Sequence, residues 1–186
     1  MHYTKPIQLK DGRYYSKVLG DGDGRVTVQL KSINFETDFN NEDITIRVTE
    51  ADVKKIDNID EQNMSAALDN SNEWFGKPVQ KKTLETAYMR SHTSGCMNVS
   101  KINKITRVFS HDKKLIDDDS NITENTACDM ILEFSGILFM KKTFCPVWRI
   151  FQVRMKPPVK KPKEPEYLFQ DDESESGSQK EEEDFL

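Results

Sequence analysis

The segment Phe134-Ser-Gly-Ile-Leu-Phe-Met-Lys-Lys-Thr-Phe-Cys-Pro-Val-Trp-Arg-Ile-Phe-Gln-Val-Arg154 mixes aromatic rings with cations at close range. A single strand of nucleic acid offers base faces, each worth ~1–3 kcal/mol when stacked on an aromatic ring, and phosphates that cations can follow. Lys141, Lys142 and Phe144 at the tip of a predicted hairpin, with Trp148, Arg149 and Arg154 on its returning strand, supply both kinds of group. Strand alternation assigns Trp148, Ile150, Gln152 and Arg154 to one face and Val147, Arg149, Phe151 and Val153 to the other, and one of these faces must be core. Two mixed clusters are secondary candidates: Lys101, Lys104 and Arg107 among Ile102, Ile105 and Val108, and Tyr14, Tyr15 and Lys17 beside Arg13. For each of these two an ordinary solvated strand face explains the residues equally well.

Charge is distributed unevenly. Residues 164–186 hold ten acids against Lys180, a net −9, which leaves +4 on the rest of the chain. Nucleic-acid-binding proteins use this polarity, as do histone-like proteins and chaperones. Glu181, Glu182, Glu183 and Asp184 favour a solvated, extended segment, yet Phe185 and Leu186 follow them. An aromatic anchor in a partner's pocket, with the carboxylates on a basic rim, is the chemistry such a segment offers. The same carboxylates can compete with phosphates for the chain's own cations.

Other chemistries find little in the sequence. There is no phosphate-binding loop, H-E-x-x-H or G-x-S-x-G pattern, and Asp21-Gly-Asp-Gly24 lacks the later ligands of a calcium loop and reads as a turn. His92 and Cys96 have no second ligand pair for zinc, and Asp117, Asp118 and Asp119 read as an exposed turn rather than a magnesium site. The expectation is a protein that is not an enzyme and has no cofactor. Cys96, Cys128 and Cys145 are odd in number with no C-x-x-C pair, which argues against a disulfide framework and for a reducing, intracellular compartment. No apolar run approaches the ~20 residues of a membrane span, so no membrane partner is expected.

The elements that must position these groups read as mainly β. Tyr14 to Leu19 and Val26, Val28, Leu30 suggest two strands joined by a turn, and Ile44, Ile46 and Val48 a third. Thr49-Glu-Ala-Asp52 is a capping-box signature, followed by helical periodicity to Phe75 that Asp57-Asn58 could split and Gly76 with Pro78 should end. A short helix around Leu84 to Met89, strands within Met97 to Phe109, and a turn at 117–121 come next. Cys128 to Met140 is nearly continuously apolar and reads as a buried strand, with Gly136 permitting a bulge; Val147 to Met155 pairs with it. The expected organisation is a domain over 1–155 with a helical insertion at about 50–90. A Pro/Lys-rich extended linker over 156–165 leads to a disordered acidic tail over 166–186, in which Tyr167-Leu-Phe169 is a small apolar island.

These features together resemble the replicative single-stranded DNA-binding proteins of short-tailed phages and their counterparts in large eukaryotic DNA viruses. The resemblance rests on Leu132-Glu-Phe-Ser-Gly-Ile-Leu-Phe139, Val147-Trp-Arg-Ile-Phe-Gln-Val153 and Glu181-Glu-Glu-Asp-Phe185, with Leu186 a departure from an aromatic terminus. It implies an OB-fold-like Greek-key barrel that coats exposed single-stranded DNA, or RNA, in replication, recombination or repair. It implies a tail that recruits a polymerase or helicase, a homodimer as one assembly state, and a host cytoplasm, nucleus or viral factory as the location. The alternative is a viral structural or scaffold protein with a partner-binding acidic tail. Such a subunit would expose apolar docking patches in place of a basic groove holding at least two exposed aromatics.

Overall fold

The computed structural model describes residues 1–117, 122–123 and 126–157, so the expectations for the turn at 118–121, most of the linker and the tail lie outside the described residues. The chain runs β1 (His2–Tyr3), β2 (Ile7–Gln8), β3 (Tyr14–Leu19), β4 (Val26–Phe35), β5 (Asp43–Arg47), α1 (Glu50–Asp69), α2 (Ser71–Phe75), α3 (Lys81–Ala87), β6 (His92–Thr93), β7 (Cys96–Ser100), β8 (Arg107–Phe109), β9 (Leu115–Ile116), β10 (Ala127–Phe139) and β11 (Phe144–Met155). It is mainly β, a mixed sheet of many strands carrying a short helical segment.

The hairpin β10–β11 is the spine. Even-numbered residues Cys128, Met130, Leu132 and Phe134 point inward, then Ser135 is bulged and the inward set becomes Ile137 and Phe139. The run that read as a buried strand has no exposed residue, and its fully buried set alternates with a parity that changes once. Gly136 sits at that change, where a Cβ would lie 2.1 Å from the carbonyl oxygen of Ser16 and 2.8 Å from the Tyr15 ring. Only glycine permits that approach.

On one edge of β10 the partner changes at the same place. Gly136–Phe139 pair with Lys17–Tyr14 of β3, and Phe134–Ala127 with Val26–Asn34 of β4. β3 and β4 thus lie end to end along one edge, and Asp21-Gly-Asp-Gly24, the expected turn between these two strands, is a 3-10 turn joining consecutive pieces of that edge. β4 pairs with β5, β5 with β7, β7 with β11 in parallel at Ser100, and β11 returns to β10. The pairings of β4, β5, β7, β11 and β10 form a closed circuit. Inside it Leu30, Phe35, Ile44, Ile46, Met97, Phe134 and Ile150 are fully buried, each contributing roughly 1.5–3 kcal/mol by leaving water.

α1 closes against this core. Thr49 Oγ1 accepts the Asp52 N–H at 3.3 Å as expected of the cap, but the buried Asp52 carboxylate turns toward β4 to accept the Lys31 N–H at 2.7 Å. Lys31 and Ser32 form a bulge in β4, so Asp52 satisfies a donor that the ladder has released. The helix continues unbroken through Asp57-Asn58, because Ile56, Ile59, Asn63 and Ala67 keep one buried stripe across that point. α2 ends at Gly76, whose φ of 71° gives the left-handed cap that glycine favours. Within the α1 interface Asp60 is fully buried and accepts Tyr88 Oη–H at 2.7 Å, Ser91 Oγ–H at 2.6 Å and Ser91 N–H at 3.0 Å.

Candidate functional site

The tip of the β10–β11 hairpin is a two-residue turn closed by Met140 N–H donating to Thr143 O at 2.8 Å. That geometry leaves Lys141 and Lys142 exposed while Phe139 and Phe144 stack inward with ring centroids 5.9 Å apart. α2 delivers Trp74 and Phe75 to the same place: Trp74 meets Phe139 edge-on at 5.5 Å, and Phe75 meets Phe144 at 5.5 Å. Gly76 then turns the chain so that Lys77 is exposed beside them. Tyr14, 46 % exposed, stands opposite Phe139 at the mouth. Together these residues frame a pocket of about 290 Å³ with aromatic walls and a lysine rim. Among the described residues no ion pair engages Lys77, Lys141 or Lys142, so their charge is available to an anion.

Phe144 and Trp148 require a correction. Phe144 is 1 % exposed and Trp148 3 % exposed; both belong to the core, where a base cannot reach them. Trp148 lies on the same face as Ile150, and that face is core; beyond them Leu132 faces Ile150 but Ile131 faces Gln152, so Phe151 is bulged and the parity changes. Trp148, Ile150 and Val153 point inward, and Arg149, Phe151, Gln152 and Arg154 share the outer side. Simple alternation had divided Arg149 from Arg154. Much of the charge on that outer side is already met: Arg154 lies 2.5 Å from Asp129, and Arg25 stacks 4.8 Å over Phe151 with Glu133 at 3.5 Å.

Lys101 and Lys104 are not on a strand. Ile105 and Thr106 N–H groups both donate to Ile102 O, making residues 101–106 a turn between β7 and β8. Lys101 Nζ lies 4.3 Å over the Phe39 ring and donates to Phe39 O at 3.1 Å, while Arg107 donates to the carbonyls of Lys104 and Thr106 at 3.2 Å. With Asn40 and Asn103, Lys101 and Arg107 line a polar cavity of about 590 Å³. β8 pairs with Gln152–Arg154, eight or more residues from Phe144, or roughly 26 Å at a strand's rise. The sequence candidates therefore fall into two separate groups. Near the N-terminus Tyr15 is tied by its hydroxyl to Ser135 O at 2.5 Å, and Lys17 is exposed beside Gly136. The outward side of β5 and β7 carries Thr45, Arg47 and Asn98 and no aromatic ring, and Arg47 is 2.5 Å from Glu36.

Sequence reasoning missed Trp74, Phe75 and Lys77 as site residues. The available signal was an aromatic pair directly before Gly76-Lys77-Pro78, at a helix end rather than within its buried stripe. Among the described residues no group of three or more His, Cys, Asp or Glu is arranged to hold a metal, and no helix is long and apolar enough to cross a membrane. The chain matches a family of unknown function (DUF5871) over residues 28–171. No curated protein and no solved structure matches it.

Proposed function

We propose that this member of DUF5871, the family of unknown function to which the chain belongs, is a non-enzymatic protein that binds single-stranded DNA in replication, recombination or repair. The observation that carries the reading is the unpaired trio Lys77, Lys141 and Lys142 around the aromatic pocket at the hairpin tip. Tyr14, Trp74 and Phe75 offer ring surface next to cations, the pairing of groups that sequence-tolerant single-strand binding uses. The closed circuit of β4, β5, β7, β11 and β10 supports an OB-type Greek-key barrel, a fold in which oligonucleotides lie against the loops between first and second and between fourth and fifth strands. Counted in that way, Lys141 and Lys142 stand on the fourth-to-fifth loop. The Lys101–Arg107 turn is a second basic patch further along the path of the strand. In this reading Glu181, Glu182, Glu183 and Asp184 compete with phosphates for the tip lysines, and Phe185 anchors a polymerase or helicase.

The test is a fluorescence titration of the full chain with labelled oligo-dT, duplex DNA and single-stranded RNA at two salt concentrations. Oligo-dT should bind more tightly than duplex, since only an open strand exposes base faces. Lys141→Glu with Lys142→Glu should weaken binding and flatten the log–log salt dependence by about 1.4, at roughly 0.7 for each phosphate no longer neutralised. Equal affinity for duplex, or a variant that binds as the parent does, removes the reading.

A further inference from the structure

The interior of the tip pocket suits an apolar side chain better than a nucleobase. Trp74, Phe75, Val79, Leu84, Phe139 and Phe144 give it apolar walls, and no carboxylate lines it. A nucleobase entering fully would leave edge donors and acceptors unmatched there, whereas an aromatic or leucine side chain would not. The chain contains such a group in Tyr167-Leu168-Phe169, bounded by Glu164 and Glu166 before and Asp171, Asp172 and Glu173 after. Its flanking charge is opposite to the three rim lysines. The family match takes in this island and stops at residue 171, short of Glu181–Phe185.

Reach decides which pocket the island can enter. Lys156 N–H still donates to Ala127 O at the far end of the hairpin, so the chain leaves β11 pointing away from the tip. From Phe144 to Met155 the strand covers roughly 36 Å. Tyr167 lies ten residue steps beyond Pro157, and fully extended these span at most about 36 Å. Docking on the same molecule would need a reversal and a taut chain with no slack.

We propose that Tyr167–Phe169 of one copy docks in the tip pocket of a second copy, seated by the rim lysines, so that copies associate through the linker; this rests on the same pocket as the nucleic-acid reading. The experiment is sedimentation velocity on full-length protein at low salt over a hundredfold range of concentration. The parent should associate, and added salt should reverse it. Leu168→Asp, repeated with Phe169→Asp, should weaken association at least tenfold, as should Lys141→Glu with Lys142→Glu. A mixture of the island variant and the pocket variant should associate again, because each supplies what the other lacks. A parent that stays monomeric, variants that associate as the parent does, or a mixture that stays monomeric overturns the proposal. Oligo-dT titration of the same samples separates the two readings: binding to oligo-dT without association sinks this proposal alone, and association without oligo-dT binding sinks the nucleic-acid reading alone.

Discussion

The indole N–H of Trp148 donates to Ser91 Oγ at 2.8 Å, and that hydroxyl donates in turn to Asp60 Oδ1 at 2.6 Å. The side chain that the sequence offers as a stacking platform instead pins β11 to α1 through a buried polar chain. Asn63 extends the chain by donating to Tyr88 Oη at 2.9 Å, and accepts from Tyr3 Oη at 2.6 Å. No buried side-chain polar atom among the described residues lacks a partner, so deleting one member leaves the next without its bond.

Trp148 should therefore act on stability and not on ligand affinity. Trp148→Phe keeps most of the ring volume and removes one buried bond, an expected loss of about 1–3 kcal/mol; Trp148→Ala should lose about 3–5 kcal/mol. Urea denaturation measures both. Oligo-dT affinity of folded Trp148→Phe should stay within about twofold of the parent. A large affinity loss at unchanged stability would put the ring against the ligand.

Gly136 should be intolerant of any side chain. Gly136→Ala drives a Cβ into the Ser16 carbonyl and the Tyr15 ring, at the point where β10 changes neighbours; a loss of about 3 kcal/mol or more is expected. Gly12, with φ of 84° and open space around it, is the control: Gly12→Ala carries only the left-handed backbone penalty of about 1–2 kcal/mol. Thermal unfolding of the two variants should rank them in that order, and equal losses would mean that backbone conformation rather than close approach fixes Gly136.

The sequence was most legible where one physical rule acts alone. Thr49 as a helix cap, Gly76 as a stop and Gly136 at a bulge each follow from local backbone chemistry. Parity of β11 was not legible, because the extra residue at Phe151 is set by register against β10 and nothing in the Arg149–Arg154 segment announces it. The end-to-end order of β3 and β4 was equally hidden, since it depends on a partner a hundred residues away. The tip lysines were legible as exposed cations in a hairpin turn. Their aromatic neighbours were not, because Trp74 and Phe75 arrive from a helical insertion.

Cys128 makes stability sensitive to alkali. Burial, followed by the nearby Asp129 carboxylate, pushes its thiol up to about 12, against about 8.5 in an unfolded chain. Between these values the unfolded state releases a proton that the folded state retains, so the stabilising contribution is complete below about pH 8.5 and is lost as pH rises toward 12. The slope is about 1.4 kcal/mol per pH unit for one proton. Burial also raises the Tyr88 phenol, followed by the effect of Asp60, so the decline should steepen above pH 10. Urea midpoints from pH 7.5 to 11 should show this fall, and Cys128→Ala should remove about one proton from it below pH 10. An unchanged slope in Cys128→Ala would assign the alkaline sensitivity elsewhere.

The acidic segment gives the most direct test of competition at the tip. Glu181 lies twenty-four residue steps beyond Pro157, and a flexible chain of that length has a root-mean-square reach of roughly 27 Å. Its four consecutive acids, unlike the island at Tyr167, have slack enough to visit the basic surface of their own molecule. Removing Gln179–Leu186 keeps the island and its flanking acids while deleting Glu181, Glu182, Glu183, Asp184 and Phe185. Oligo-dT affinity should then rise by about three- to tenfold at low salt, and the gain should vanish near 0.3 M, where the Debye length falls to roughly 6 Å and both attractions are screened. Phe185→Ala retains the charge and should leave DNA affinity within about twofold, while weakening capture of a polymerase or helicase through its aromatic anchor. Titrations of parent, truncation and Phe185→Ala at three salt concentrations separate these effects. A truncation that binds oligo-dT less tightly would make the segment part of the DNA site and reverse the sign of its role.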